Sequence, residues 1–177
     1  MGGDGQTDYA CAVGAAGDAV AAIGRRLEEA GYEASTVNLD GIPALVARRS
    51  DFRWRWFGTR LHTFVFVAAF DHPTRAQLDR FAALASRYAT ANKGGLPRGL
   101  QTGTAAVSVA VVDHVREEVM AWADRRGKTR FAAIGYPVLA EASTGKVLRP
   151  ARMVAGASYA SHLRAVADLV REAIRTV

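Results

Sequence analysis

The sequence predicts an α+β protein: an antiparallel four-stranded meander flanked by helices, α-ββββ-α, followed by β-α-ββ-α in the same domain. Three observations carry this reading. Apolar residues recur at helical spacing in separate stretches. Four short extended runs, parted by Gly-, Pro- and Asp-containing turns, fall between the first two of those stretches. Finally, "AAVSVAVV" at 105–112 is almost wholly apolar, as expected of a strand buried on both faces.

Residues 1–14 are glycine-rich and are expected to form a flexible segment, with 15–177 as a single domain. From Ala15 to Ala30, the positions Ala16, Ala19, Val20, Ile23 and Leu27 make one helical stripe, and Gly31 supplies the stop. Extended runs follow at 33–39, 43–49, 52–57 and 61–70, with turns at "DGIP", "SD" and "GTR". Thr74 and Gln77 have the spacing of a capping box, which opens a helix to about Ala91 with Leu78, Phe81, Leu84, Ala85 and Tyr88 on one side.

The Gly-rich stretch 92–104 is expected to connect the two halves. After the 105–112 strand, Asp113 is placed to cap a helix running to Arg126, with Gly127 as its stop. A strand at 130–140, a turn around "STGK", a strand near 146–154 and a helix from about Ser158 complete the order. No exact internal repeat stands out, and the halves are only weakly similar in element order.

The stretch "FRWRWFGTRLHTFVF" (52–66) raises the question of which side of the sheet its aromatics face. A three-residue loop "GTR" sets Phe57 opposite Leu61, Trp56 opposite His62, Trp54 opposite Phe64 and Phe52 opposite Phe66. That register puts Trp54, Trp56, His62, Phe64 and Phe66 on one face, covered by the first two helices. A two-residue turn at Ser50–Asp51 then puts Arg48, Arg53 and Arg55 together on the other face. Neighbouring arginines repel unless an anion intervenes, so Arg48, Arg53 and Arg55 are candidate anion ligands, with Lys93 and Arg98 of the connector as further candidates. His62, with Trp54, Trp56 and Phe64, is the candidate polar handle of an aromatic pocket.

Composition narrows the function classes. The net charge of +6 comes mostly from arginine, with lysine only at positions 93, 128 and 146. With abundant Ala and Gly, that bias fits GC-rich bacterial coding of a basic protein more than selection for phosphate binding. Cys11 alone gives no internal disulfide and no multi-cysteine metal site. The longest apolar run, Phe64–Phe70, is too short to span a bilayer, and Asp8 and Asp18 interrupt the only signal-like stretch. A cytoplasmic setting and no membrane partner are therefore expected.

"GKT" at 127–129 lacks the strand–loop–helix order of a phosphate-binding loop, and His62, His72, His114 and His162 are too scattered for a local metal motif. No catalytic residue, metal or cofactor is implied. The leading expectation is a non-enzymatic, self-associating interaction or adaptor domain, a homodimer that also takes a protein partner. It rests on the missing catalytic constellation in an ordered, apolar-rich domain. The homodimer is expected because Leu61–Phe70 and 105–112 are almost wholly apolar and four helices in one chain would not cover both faces of such a sheet. The alternatives are nucleic-acid or other polyanion binding through the arginine-rich 48–60 hairpin, and small-molecule binding or catalysis at His62.

Overall fold

The computed structural model describes residues 14–52, 60–93, 102–124, 129–130, 133–151 and 157–177. The chain runs α1 (Ala15–Glu29), β1 (Glu33–Leu39), β2 (Ile42–Phe52), β3 (Arg60–Ala69) and α2 (Arg75–Asn92). It continues as β4 (Thr102–Val112), α3 (Glu117–Ala123), β5 (Thr129–Arg130), β6 (Ala133–Glu141), β7 (Val147–Leu148) and α4 (Ala157–Ile174). The strands form one sheet in the order β1-β2-β3-β4-β6-β5, with β7 also paired to β6.

The described meander has three antiparallel strands where four were expected: β2 runs on to Phe52 and pairs directly with β3, and residues 53–57 of the expected third strand lie outside the described residues. Strand β4 lies parallel to β3, and β6 parallel to β4, so the sheet is mixed. Helices cover both sides of it. Leu61, Val65 and Val67 of β3 pack with Ile23 and Leu27 of α1 and Leu163 and Val170 of α4. On the opposite side Phe64 and Phe66 pack with Phe81, Ala85 and Ala89 of α2, and Ala110 and Leu139 pack with Val119 and Trp122 of α3. The near-continuous apolar runs of β3 and β4 follow from this central, two-sided burial. Among the described residues, the apolar side chains of β3 and β4 are buried within one chain by helices on both faces.

Several local expectations hold. Asp40 and Gly41 both have positive φ, 52° and 87°, in the two-residue loop that pairs Leu39 with Ile42, and an Asp-Gly dipeptide suits that mirror-image turn. Thr74 and Gln77 form both halves of the capping box at α2. Gly31, at φ 82°, follows the Ala30 cap of α1.

Others are corrected. Ser50–Asp51 is not a turn: β2 continues through it to Phe52. Asp51 stays extended because its carboxylate accepts from Arg49 Nε, two residues back on the same side of the strand, at 2.9 Å. The β2–β3 ladder pairs Phe52 with Arg60, Ser50 with His62, Arg48 with Phe64 and Val46 with Phe66, rather than Phe52 with Phe66. Arg48 therefore lies on the aromatic face, not away from it. The first two helices also separate, α2 on the aromatic face and α1 behind the sheet. Trp54, Trp56, Phe57, Arg53, Arg55 and Arg98 lie outside the described residues.

The third helix is shorter than predicted, Glu117–Ala123, with Arg116 at its N-cap. Asp113 does not cap it. Its Oδ1 instead accepts the backbone N–H of Ala16 at 3.0 Å, closing the first turn of α1, where Gly14 has no side chain to do so.

The parallel register exposes a short internal repeat. Each residue of β3 lies beside the residue forty-two positions later, from Arg60 with Thr102 to Ala69 with Val111. The sequences leaving the two strands, "VAAFDH" (67–72) and "VAVVDH" (109–114), share Val, Ala, Asp and His. The helices that follow start at Arg75 and Glu117, the same distance apart.

Candidate anion-binding cavity

On the α2 side of the sheet, the last residues of β2 and the first of β3 extend past the covering helix. Strand alternation brings Arg48, Ser50, Arg60, His62 and Phe64 to this one face. Glu33 reaches it from β1, opposite Arg48, and Asn92 and Lys93 reach it from the end of α2. Together they line an open cavity of about 450 Å³. A second hollow of about 320 Å³ adjoins it, sharing Glu33, Arg48, Phe64 and Asn92 and adding Ala34, Ser35, Val46 and Tyr88.

The charge of the larger cavity is lopsided. Among the described residues, Arg48, Arg60 and Lys93 contribute cations and Glu33 a carboxylate. Glu33 Oε2 accepts from Arg48 Nε at 2.9 Å, but both side chains are well exposed, so the pair contributes about 0–1 kcal/mol. The C-terminal end of α2 adds a partial negative charge, worth about 0.3–1 kcal/mol against an anion, and Lys93 at that end offsets it. Among the described residues the balance is positive.

His62 reports that field. Burial, followed by Arg60, Lys93 and Arg48, pushes its imidazole below the ordinary histidine range. At neutral pH it is an uncharged ring able both to donate and to accept a hydrogen bond.

Behind the same strands lies a different arrangement. Arg49 lines the cavity with its backbone neighbours, yet its guanidinium is directed to the α1 side. There it donates to Asp51 and, at 2.8 Å, to the carbonyl of Ala30, and it stacks 4.6 Å from the centre of the Tyr32 ring. Burial pushes the Tyr32 hydroxyl up to about 12, so it stays protonated. His162 of α4 completes the group, its Nε2 2.9 Å from Thr63 Oγ1 and 3.9 Å from Asp51 Oδ2. Thr63 and His162 are both buried, so this network ties α4 and the end of α1 to the sheet.

Of the residues singled out from sequence, Arg48, His62, Phe64 and Lys93 come together in the cavity. Arg53, Trp54, Arg55, Trp56 and Arg98 lie outside the described residues. Arg60, expected only as part of the arginine-rich 48–60 hairpin, joins them, and Ser50, Glu33 and Asn92 add to the lining without having been expected there. For Arg60 the signal was present: it stands two residues before His62 and so shares its strand face. Among the described residues, no cluster of three His, Cys, Asp or Glu is placed to hold a metal ion, and no helix is long and apolar enough to cross a membrane. No family model, curated protein or solved structure matches the chain.

Proposed function

We propose that the protein is a binding module for a small anionic ligand, held in the cavity between the end of α2 and the β2–β3 strands. One observation carries the reading: three cationic side chains and an uncharged, hydrogen-bonding histidine line the same concave site. A concave site of about 450 Å³ suits a small molecule better than a flat polymer surface, because pockets of roughly 300–1,000 Å³ enclose ligands of that size. Arg48 and Arg60 present planar guanidinium forks that match phosphate or carboxylate oxygens, and Lys93 supplies a point charge. The reading rests on Arg48 and Lys93 of the anion candidates lining one cavity with His62 and requires no chemical step.

Calorimetric titration with inorganic phosphate at low ionic strength tests it. Binding is expected to weaken about tenfold or more in Arg60→Gln and in Lys93→Gln, since a hydrogen bond to a charged group contributes about 1.5–3 kcal/mol. Glu33→Gln, which removes the opposing carboxylate, is expected to strengthen it. A folded Arg60→Gln/Lys93→Gln double variant that binds phosphate like the parent overturns the proposal.

A further inference from the structure

The two adjoining hollows differ in chemistry, and the difference points to the rest of the ligand. The larger carries the cations. The smaller has Val46 and the edge of Phe64 as its floor and the half-buried Tyr88 as a wall, with Ser35 at the rim. That wall is held rigidly. Phe64 and Phe66 stack with ring centres 6.3 Å apart and planes 14° from parallel, and Tyr88 meets Phe66 edge-on at 5.7 Å. Asn92 is folded back, its Nδ2 donating to the Tyr88 carbonyl at 2.9 Å.

Arg48 lines both hollows and so stands at their junction, paired there with Glu33. A ligand spanning them needs an anionic group at one end and a flat, partly polar ring at the other.

We infer that the cavity takes a ring-bearing phosphate, of the class of the nucleoside monophosphates, with the phosphate among Arg48, Arg60 and Lys93 and the ring against Tyr88 over Val46 and Phe64. The inference rests on the anion-binding reading and adds the second half of the ligand. His62 stands at the phosphate end, where a bound dianion stabilises its protonated form, so complex formation takes up a proton as the pH falls toward the depressed histidine value.

Titrations of the full chain with adenosine 5′-monophosphate, ribose 5-phosphate, inorganic phosphate and adenosine separate the parts. The nucleotide is expected to bind at least tenfold more tightly than ribose 5-phosphate or phosphate. Tyr88→Leu, which keeps the apolar contact but removes the ring, is expected to erase that advantage while leaving phosphate affinity unchanged. Should Tyr88→Leu fail to fold by circular dichroism, Ser35→Tyr, which fills the smaller hollow from the opposite rim, is expected to do the same. Equal affinity for nucleotide and inorganic phosphate overturns the ring site and leaves the anion site standing. Adenosine binding as tightly as the nucleotide, or no binding of any of the four, overturns both.

Discussion

The units β3–α2 and β4–α3 lie side by side and leave the sheet through the same Val-Ala-x-x-Asp-His sequence, but their exits are tied down differently. In the second exit Asp113 caps α1, His114 Nδ1 lies 3.0 Å from Ser143 Oγ, and the next N–H, of Val115, donates to Glu141 at 2.7 Å. In the first exit Asp71 points into solvent with His72 3.5 Å away. The position matching Val115 is Pro73, which has no N–H to donate. An aspartate at this register therefore carries no fixed role. It becomes structural only where an uncapped helix start comes within reach.

The same contrast runs through the strands, and substitutions at matched positions can break or sharpen it. The largest difference is expected at Phe66, which occupies the position that Ser108 has in β4. Phe66 is wholly buried among α2 side chains, so Phe66→Ala is expected to cost about 3–5 kcal/mol, against less than about 1 kcal/mol for Ser108→Ala. Urea unfolding midpoints with unchanged slopes measure both. Equal costs would mean that α2 does not depend on its aromatic floor.

Next comes the aspartate pair. Asp113→Ala is expected to lose about 1 kcal/mol, up to about 2, through the uncapped α1, and Asp71→Ala to stay within about 0.5 kcal/mol. If the two variants unfold alike, the Ala16–Asp113 contact contributes nothing.

Glu141 adds a pH signature to the second exit. Its carboxylate lies below the usual range because it accepts from the Thr144 hydroxyl and the Val115 N–H, which outweigh its desolvation. A depressed folded value means stability that is present above about pH 4.5 and lost as the pH falls through the folded value. Glu141→Gln is expected to destabilise by about 1 kcal/mol at pH 7 and to match the parent in strong acid.

The smallest effect is expected where β3 has His62 and β4 has Thr104. The depressed His62 value means that the unfolded chain binds the proton first, so parent stability declines as the pH falls below about 6.5. His62→Gln is expected to flatten that part of the profile by a few tenths of a kcal/mol. An unchanged slope would remove His62 from the cationic cluster.

Local signals were legible in the sequence because they depend on neighbouring residues alone: the capping box at Thr74, the Asp-Gly hairpin and the apolar centre strands. Parity was not legible. Ser50 and Asp51 have turn-like identities, and only the contact of Asp51 with Arg49 shows why the strand runs through them. A two-residue turn there would reverse the strand and place Arg48 opposite Arg53, whereas a continuous strand leaves Arg48 on the face of His62 and Phe64. That one change brings Arg48 to the cavity that His62 and Phe64 line. Asp113 was hidden for a related reason: its partner Ala16 lies 97 residues earlier, and no local pattern records it.

Pairing α1 with α4 behind the sheet has a consequence for how the chain is made. Val20, Ile23 and Leu27 of α1 share their buried surface with Leu163, Val166 and Val170 of α4. A nascent chain that has emerged only through β6 has every central strand and still lacks half of that cover. Until α4 has been translated, this surface is open to chaperones, proteases and other unfinished chains, so stalling before residue 157 is more hazardous than stalling after it.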